Sequence, residues 1–346
     1  MAIKVSIVGA SGYTGIELLR ILNLYKEVEL VQIISREFEG KALKEVFPFF
    51  ISTKFSDIKF DKEPDLDSAD IYFLAIPHEP AVELAKKILD KNKKVIDLSA
   101  AYRIKNFNAY PEFYGFEHSY KELLDKAVYG LPEIHRDKIK NANLIANPGC
   151  YPTATLLALY PALKENIIDS DTIIVNALSG ISGAGRGLKQ KFHYPEAFSN
   201  SFAYNPTKHR HIPEMEDQIN QISGKDIKVR FTPHILPVSR GMISTVNFKT
   251  NLNKKDLIEL YRLEYRYEPF IRFQKTPPEI KYVIGSNYCD IYVDLDERTG
   301  YAVVITAIDN LGKGASSQAM QNFNLIVGIE EEKYLKNLSE ISIIYP

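Results

Sequence analysis

Two groups of residues in this chain have the types and spacing that chemistry requires. The first surrounds Cys150, in Asn147-Pro148-Gly149-Cys150-Tyr151-Pro152-Thr153, where a turn meets Ala154 to Leu163, a run that reads as a helix. Proline suits a first helical turn, where its missing N–H costs nothing, so Pro152 puts Cys150 at or just before the helix N-terminus. There the macrodipole favours thiolate over thiol, and free amides are available to an oxyanion. Cys289, between Tyr288 and Asp290 in a β-rich segment, lacks these features and reads as structural. The second group is Gly9-Ala10-Ser11-Gly12-Tyr13-Thr14-Gly15, three glycines spaced by three that follow a strand and open a helix. In that context Gly9 allows the tight turn, Gly12 the approach of a pyrophosphate and Gly15 close helix packing. A positioned thiol and a dinucleotide turn in one chain suggest redox chemistry through a thioester.

Further residues refine this reading. NAD usually meets an acidic residue at the end of the second strand, but this chain offers Ser35-Arg36, and a guanidinium suits a 2′-phosphate, so NADP is expected over NAD. His209-Arg210-His211 precedes Ile212-Pro213-Glu214, where a helix begins, and can supply a general acid or base near neutral pH. Arg103, Arg186 and Arg240 stand in loop-like contexts suited to a substrate phosphate or carboxylate. Ser179 to Arg186 is a loop of small residues able to bring backbone amides against a ligand.

The elements that must position these groups follow from periodicity. Ile3–Gly9, Val28–Ile34, Ile71–Ile76 and Val95–Leu98 read as strands, with helices at Gly15–Leu24 and Ala81–Leu89, the alternation of a parallel sheet covered by helices. After Asn147-Pro148-Gly149 the segments Thr172–Ala177, Lys228–Phe231, Ile243–Phe248, Ile291–Leu295 and Tyr301–Ile308 predict a mixed, largely antiparallel sheet. Ser316–Val327 returns to helix after a Gly312-Lys313-Gly314 turn, and Ser182–Asn205 reads as a mobile loop. The 346 residues favour two domains. The 43 basic and 44 acidic side chains leave a net charge of −1, which gives no reason to expect nucleic acid or an anionic membrane as partner. Two cysteines without nearby Cys or His predict neither a disulfide framework nor a metal site, and fit a reducing cytoplasm. The absence of a signal pattern or a long apolar run predicts a soluble protein.

Together these segments resemble the semialdehyde dehydrogenase superfamily, and within it the N-acetyl-gamma-glutamyl-phosphate reductases of arginine biosynthesis. The resemblance extends through Phe73-Leu74-Ala75-Ile76-Pro77-His78, Asp97-Leu98-Ser99, Tyr129-Gly130-Leu131-Pro132-Glu133, Asn147 to Thr153, Ser182 to Arg186, His209 to Glu214, and Asp309-Asn310-Leu311 with Lys313-Gly314-Ala315. It implies an α/β Rossmann domain of residues 1–148 plus 315–346, an α+β catalytic and oligomerisation domain of residues 149–314, and a homo-oligomer, dimer or tetramer. Cys150 matches the family's nucleophile, and His209 or His211 its acid/base, with His211 nearer the helix entrance. The implied NADP(H) site takes in Gly9, Ser11, Gly12, Tyr13, Thr14, Gly15, Ser35, Arg36, Pro77, Ser182, Gly183 and Asn310. Arg103, Arg186 and Arg240 would hold the acyl phosphate substrate, with inorganic phosphate as co-product. Ala101 and Leu178 depart from an acidic residue and a lysine usual in the family. A sister group reduces acyl phosphates linked to a small acidic carrier protein, but its His-Pro-Asn-Leu-Arg stretch is replaced here by Val46-Phe47-Pro48-Phe49-Phe50. A non-catalytic NADP-binding sensor and a cysteine hydrolase are the remaining alternatives.

Overall fold

The computed structural model describes residues 2–338, so the expected domain ends at residue 1 and residues 339–346 lie outside the described residues. The chain divides into two units, the first of residues 2–107, 116–148 and 315–338, the second of residues 108–115 and 149–314. The short stretch Asn108–Gly115 therefore leaves the continuous domain 1–148 that the sequence suggested. Side-chain bonding explains the transfer, since Tyr114 Oη donates to the Arg210 carbonyl at 2.7 Å.

The first unit holds seven strands, β1 (Ile3–Val8), β2 (Val28–Ile34), β3 (Phe60–Asp61), β4 (Ile71–Leu74), β5 (Lys94–Asp97), β6 (Val128–Tyr129) and β7 (Leu144–Ala146). All pair in parallel, in the order β3-β2-β1-β4-β5-β7-β6. This is a Rossmann sheet, and its order reverses between β1 and β4, where such sheets bind ligands beyond the carboxyl ends of their strands. The central strands bury apolar side chains on both faces because helices cover them: Val5, Ile7, Phe73 and Leu74 are all 0% exposed. Helix α1 (Tyr13–Leu22) buries Ile16, Leu18, Leu19 and Ile21, each contributing about 1.5–3 kcal/mol. Glu17 and Arg20 of α1 are buried too, and Arg20 Nε donates to Glu17 Oε2 at 3.0 Å, which satisfies both charges inside the unit. The fourth strand ends at Leu74, earlier than its apolar run suggests, because Pro77 caps helix α2 (His78–Asp90) and the chain must turn first.

The second unit holds β8 (Ile174–Gly180), β9 (Phe202–Ala203), β10 (Arg230–Leu236), β11 (Met242–Lys249), β12 (Ile271–Phe273), β13 (Cys289–Asp296) and β14 (Tyr301–Ile308), in the order β12-β13-β14-β11-β8-β10-β9. The sheet is mixed and largely antiparallel, with β8/β10 and β12/β13 as its parallel pairs. One face packs on α3 (Cys150–Lys164) and α5 (Lys254–Tyr265), with α4 (Ile212–Ser223) between them in the chain also against α3. Tyr261 and Tyr265 of α5 donate to the carbonyls of Ala158 and Leu157 at 2.7 and 2.6 Å, fixing the two helices together. On the opposite face Asn176, Leu178, Ile243, Thr245, Val303 and Ile305 stay half-exposed, alternating with buried neighbours.

Two local expectations need correction. The segment expected as a mobile loop carries short helical turns at Ile181–Ala184, Gln190–Phe192 and Tyr194–Ala197, and its end pairs with β10 as β9. The Gly312-Lys313-Gly314 turn belongs to a π-helical turn, Gly312–Ser316. Among the described residues no helix is long and apolar enough to cross a membrane.

Candidate active site

The glycine turn of the first unit separates glycines the fold needs from one it does not. Gly9 has φ +88°, and a Cβ there would lie 2.3 Å from the Ala75 carbonyl oxygen. A Cβ on Gly15 would meet the Gly9 carbonyl oxygen at 2.4 Å, so helix and strand approach only because both residues lack side chains. Gly12 has φ −76°, and a Cβ there would find nothing nearer than 3.6 Å. The protein thus gives Gly12 no steric reason to be glycine, whereas a phosphate approaching the N-terminus of α1 does. Tyr13 and Thr14 form the first turn of that helix, and the Thr14 carbonyl accepts Ser316 Oγ at 2.9 Å.

Beside the turn lies a cleft of about 840 Å³ lined by Gly9, Ser11, Ser35, Arg36 and Pro77 among others. The Ser11 and Ser35 hydroxyls hydrogen-bond across it at 2.9 Å. Arg36 is held by Glu63, its Nε and Nη2 donating to Oε1 at 3.1 and 2.8 Å. Lys62 and Glu63 also line the cleft. Sequence reasoning missed both, because they follow β3 without a motif and reach Arg36 through the pairing of Ile34 with Asp61. A dinucleotide bearing a 2′-phosphate fits this set: helix-end amides and Gly12 for the pyrophosphate, Arg36 and Lys62 for the extra charge.

In the second unit Gly149 is the N-cap and Cys150 the first residue of α3. The Gly149 N–H donates to buried Glu214 at 2.8 Å, and Thr153 Oγ1 donates back to the Gly149 carbonyl at 3.0 Å, which locks the elbow carrying the thiol. A Cβ on Gly314 would lie 2.7 Å from Cys150 Cβ, so glycine there lets the backbone pass against the cysteine. The thiol is partly exposed and lines a cavity of about 340 Å³ with Ser179, Gly183, Lys189, Lys208, His209 and His211. Cys289 is 0% exposed within β13, in keeping with a structural role.

The two histidines differ in environment. His209 is 5% exposed, and its Nδ1 accepts the His211 backbone N–H at 3.1 Å, which leaves the ring proton on Nε2. Burial, helped by the neighbouring Arg210 charge, pushes its pKa down to about 4. His211 packs edge-on to Tyr151 with ring centroids 5.8 Å apart, and Tyr151 is fixed by donating to the His234 carbonyl at 3.2 Å.

The three expected substrate arginines separate. Arg240 is buried, its Nε and Nη2 donating to Asp309 at 3.2 and 2.7 Å. Those two donors are committed to a buried carboxylate inside the unit. Arg186 is half-buried in the loop and does not line the thiol cavity. Arg103 lies in the first unit, donating from Nη2 to the Leu98 carbonyl at 2.8 Å. The cations that do line the cavity are Lys189, Lys208 and Arg210; the lysines stand in polar loops without a local signature, and Arg210 lies within the motif read for its histidines. Asn310 and Ser182 lie in the second unit, Asn310 Nδ2 donating to Ser182 Oγ at 2.9 Å while its Oδ1 accepts the Gly241 N–H at 2.8 Å.

Comparison with known proteins agrees with this fold class. A family profile described as the semialdehyde dehydrogenase NAD binding domain matches residues 4–142, and one described as the semialdehyde dehydrogenase dimerisation domain matches residues 150–310. The N-acetyl-gamma-glutamyl-phosphate reductase of Aquifex aeolicus is 53% identical, covering 97% of this chain and 98% of its own. The reductase of the same name from Pelotomaculum thermopropionicum is 47% identical, covering 96% and 97%. Among solved structures, aspartate semialdehyde dehydrogenase II of Vibrio cholerae shares the fold with a TM-score of 0.74 at 19% identity, covering 95% of this chain and 99% of its own. The chain belongs to the N-acetyl-gamma-glutamyl-phosphate reductase family of semialdehyde dehydrogenases.

Proposed function

We propose that this chain is a cytoplasmic enzyme that reduces N-acetyl-L-glutamyl 5-phosphate to N-acetyl-L-glutamate 5-semialdehyde, with NADPH as reductant and release of phosphate, in arginine biosynthesis. The observation that carries the proposal is Cys150 at the first position of α3, opening into a cavity that also holds His211 and cationic side chains.

The Cys150 thiolate attacks the acyl carbon, the bond to the phosphate oxygen breaks, and a thioester remains on the protein, dividing one hard step into two easier ones. Amides at the N-terminus of α3 receive the oxyanion. Lys189, Lys208 and Arg210 hold the phosphate and carboxylate of the substrate. His211 takes the thiol proton and returns it to sulfur as the thioester breaks down. His209 serves instead as a positioning residue, because burial lowers its affinity for a proton and its Nδ1 accepts the His211 N–H. When bound, NADPH supplies the hydride that reduces the thioester. The α1 N-terminus with Gly12 would hold its pyrophosphate, and Arg36 with Lys62 its 2′-phosphate. The half-exposed face of the second unit's sheet builds a homo-oligomer.

The reaction is tested in reverse, by NADP-dependent oxidation of the free semialdehyde with inorganic phosphate. Cys150→Ser is expected to bind NADPH normally and to lose turnover by on the order of 10⁴-fold or more. Turnover retained by that variant refutes covalent capture. Turnover confined to carrier-linked semialdehyde refutes the substrate.

A further inference from the structure

We propose that Glu63 is a specificity-determining residue for the cofactor: its carboxylate, resting on Arg36, opposes the 2′-phosphate of NADPH and narrows the preference over NADH. The proposal deepens the assignment above and rests on Arg36 meeting that phosphate. Arg36 follows β2 and Glu63 follows β3, and the register Ile34 to Asp61 brings them to one edge of the 840 Å³ cleft. A single carboxylate oxygen, Oε1, takes two N–H groups of Arg36 at 3.1 and 2.8 Å. Those are donors that a phosphate would otherwise recruit in pairs.

The pair adds little to folding, since the two side chains are 76% and 62% exposed and water screens them. Its consequence is electrostatic and local. A unit negative charge about 6 Å from a phosphate dianion in water weakens binding about tenfold. The same carboxylate suits the ribose hydroxyls of NADH, the role an acidic side chain plays in NAD-binding Rossmann sites. Lys62, in the same cleft and only loosely engaged by Glu39 at 3.9 Å, supplies a second cation that becomes more effective once the opposing charge is removed.

The test is direct titration of NADPH and NADH against the wild type, Glu63→Gln and Arg36→Ala at low and high salt. Glu63→Gln keeps the side-chain shape and removes the charge. NADPH is expected to bind it about tenfold more tightly at low salt, with the gain shrinking at high salt and NADH unchanged or weaker. Arg36→Ala is expected to weaken NADPH much more than NADH. If Arg36→Ala weakens both cofactors equally, the 2′-phosphate assignment and the role of Glu63 fall together. If Arg36→Ala behaves as expected while Glu63→Gln binds NADPH no better or worse, Glu63 instead orients the guanidinium, and this proposal alone is overturned.

Discussion

His209 offers a prediction whose sign and size follow from its surroundings. Its ring is 5% exposed, and burial first, then the Arg210 charge, lowers its pKa from 6.5 to about 4. The unfolded chain therefore takes up a proton between those values while the folded chain resists it, so the fold is weakened as pH falls. The contribution is fully present above about pH 6.5 and is lost as pH falls to about 4. At about 1.4 kcal/mol per pH unit the gap makes about 3 kcal/mol, a large fraction of the stability of an ordinary domain. The perturbation is His209→Asn, whose side-chain oxygen can accept the His211 N–H in place of Nδ1 but does not titrate. The assay is urea unfolding followed by circular dichroism at a series of pH values from neutral to about 4. The difference in stability between wild type and variant should move by about 3 kcal/mol across that range, in favour of the variant at acid pH. A constant difference would refute the reasoning, because it would mean that folding leaves the proton affinity of this ring unchanged.

The remaining predictions concern the glycine turn and the open sheet face. Gly12→Ala is expected to fold like the wild type, because its Cβ has 3.6 Å of clearance, yet to bind NADPH poorly; Gly9→Ala should lower stability itself, since its Cβ would lie 2.3 Å from a carbonyl oxygen. Thermal unfolding alongside NADPH titration checks this, and equal behaviour of the two variants would remove the distinction between a packing glycine and a ligand glycine. Ile243→Glu puts a charge on the half-exposed face of β11 and should shift the protein toward monomer in sedimentation velocity with its secondary structure intact. An unchanged sedimentation coefficient would mean that the oligomer is built elsewhere.

The sequence by itself determined what depends on neighbours along the chain. Runs of β-branched and other apolar residues marked β11 and β14, the glycine spacing marked the turn at 9–15, and Pro152 marked the start of α3 at the thiol. Each signal acts within a few residues, so it survives without knowledge of the fold. Only the tertiary structure decided which charges are free to act. Arg36 and Arg240 look alike in sequence, but one lies exposed on Glu63 in a cleft while the other is buried on Asp309, distant by 69 positions. His209 and His211 are separated by one residue and both are buried, yet the bond that engages the His209 ring and the aromatic rings packed on each are set by the fold. Lys189 reaches the thiol cavity through folding of the 182–205 segment, whose turns carry no periodic signal, and Lys208 joins it from the stretch that follows. A side chain's chemistry belongs to its residue type, but its proton affinity and its partners belong to the dielectric and the charges that folding brings around it.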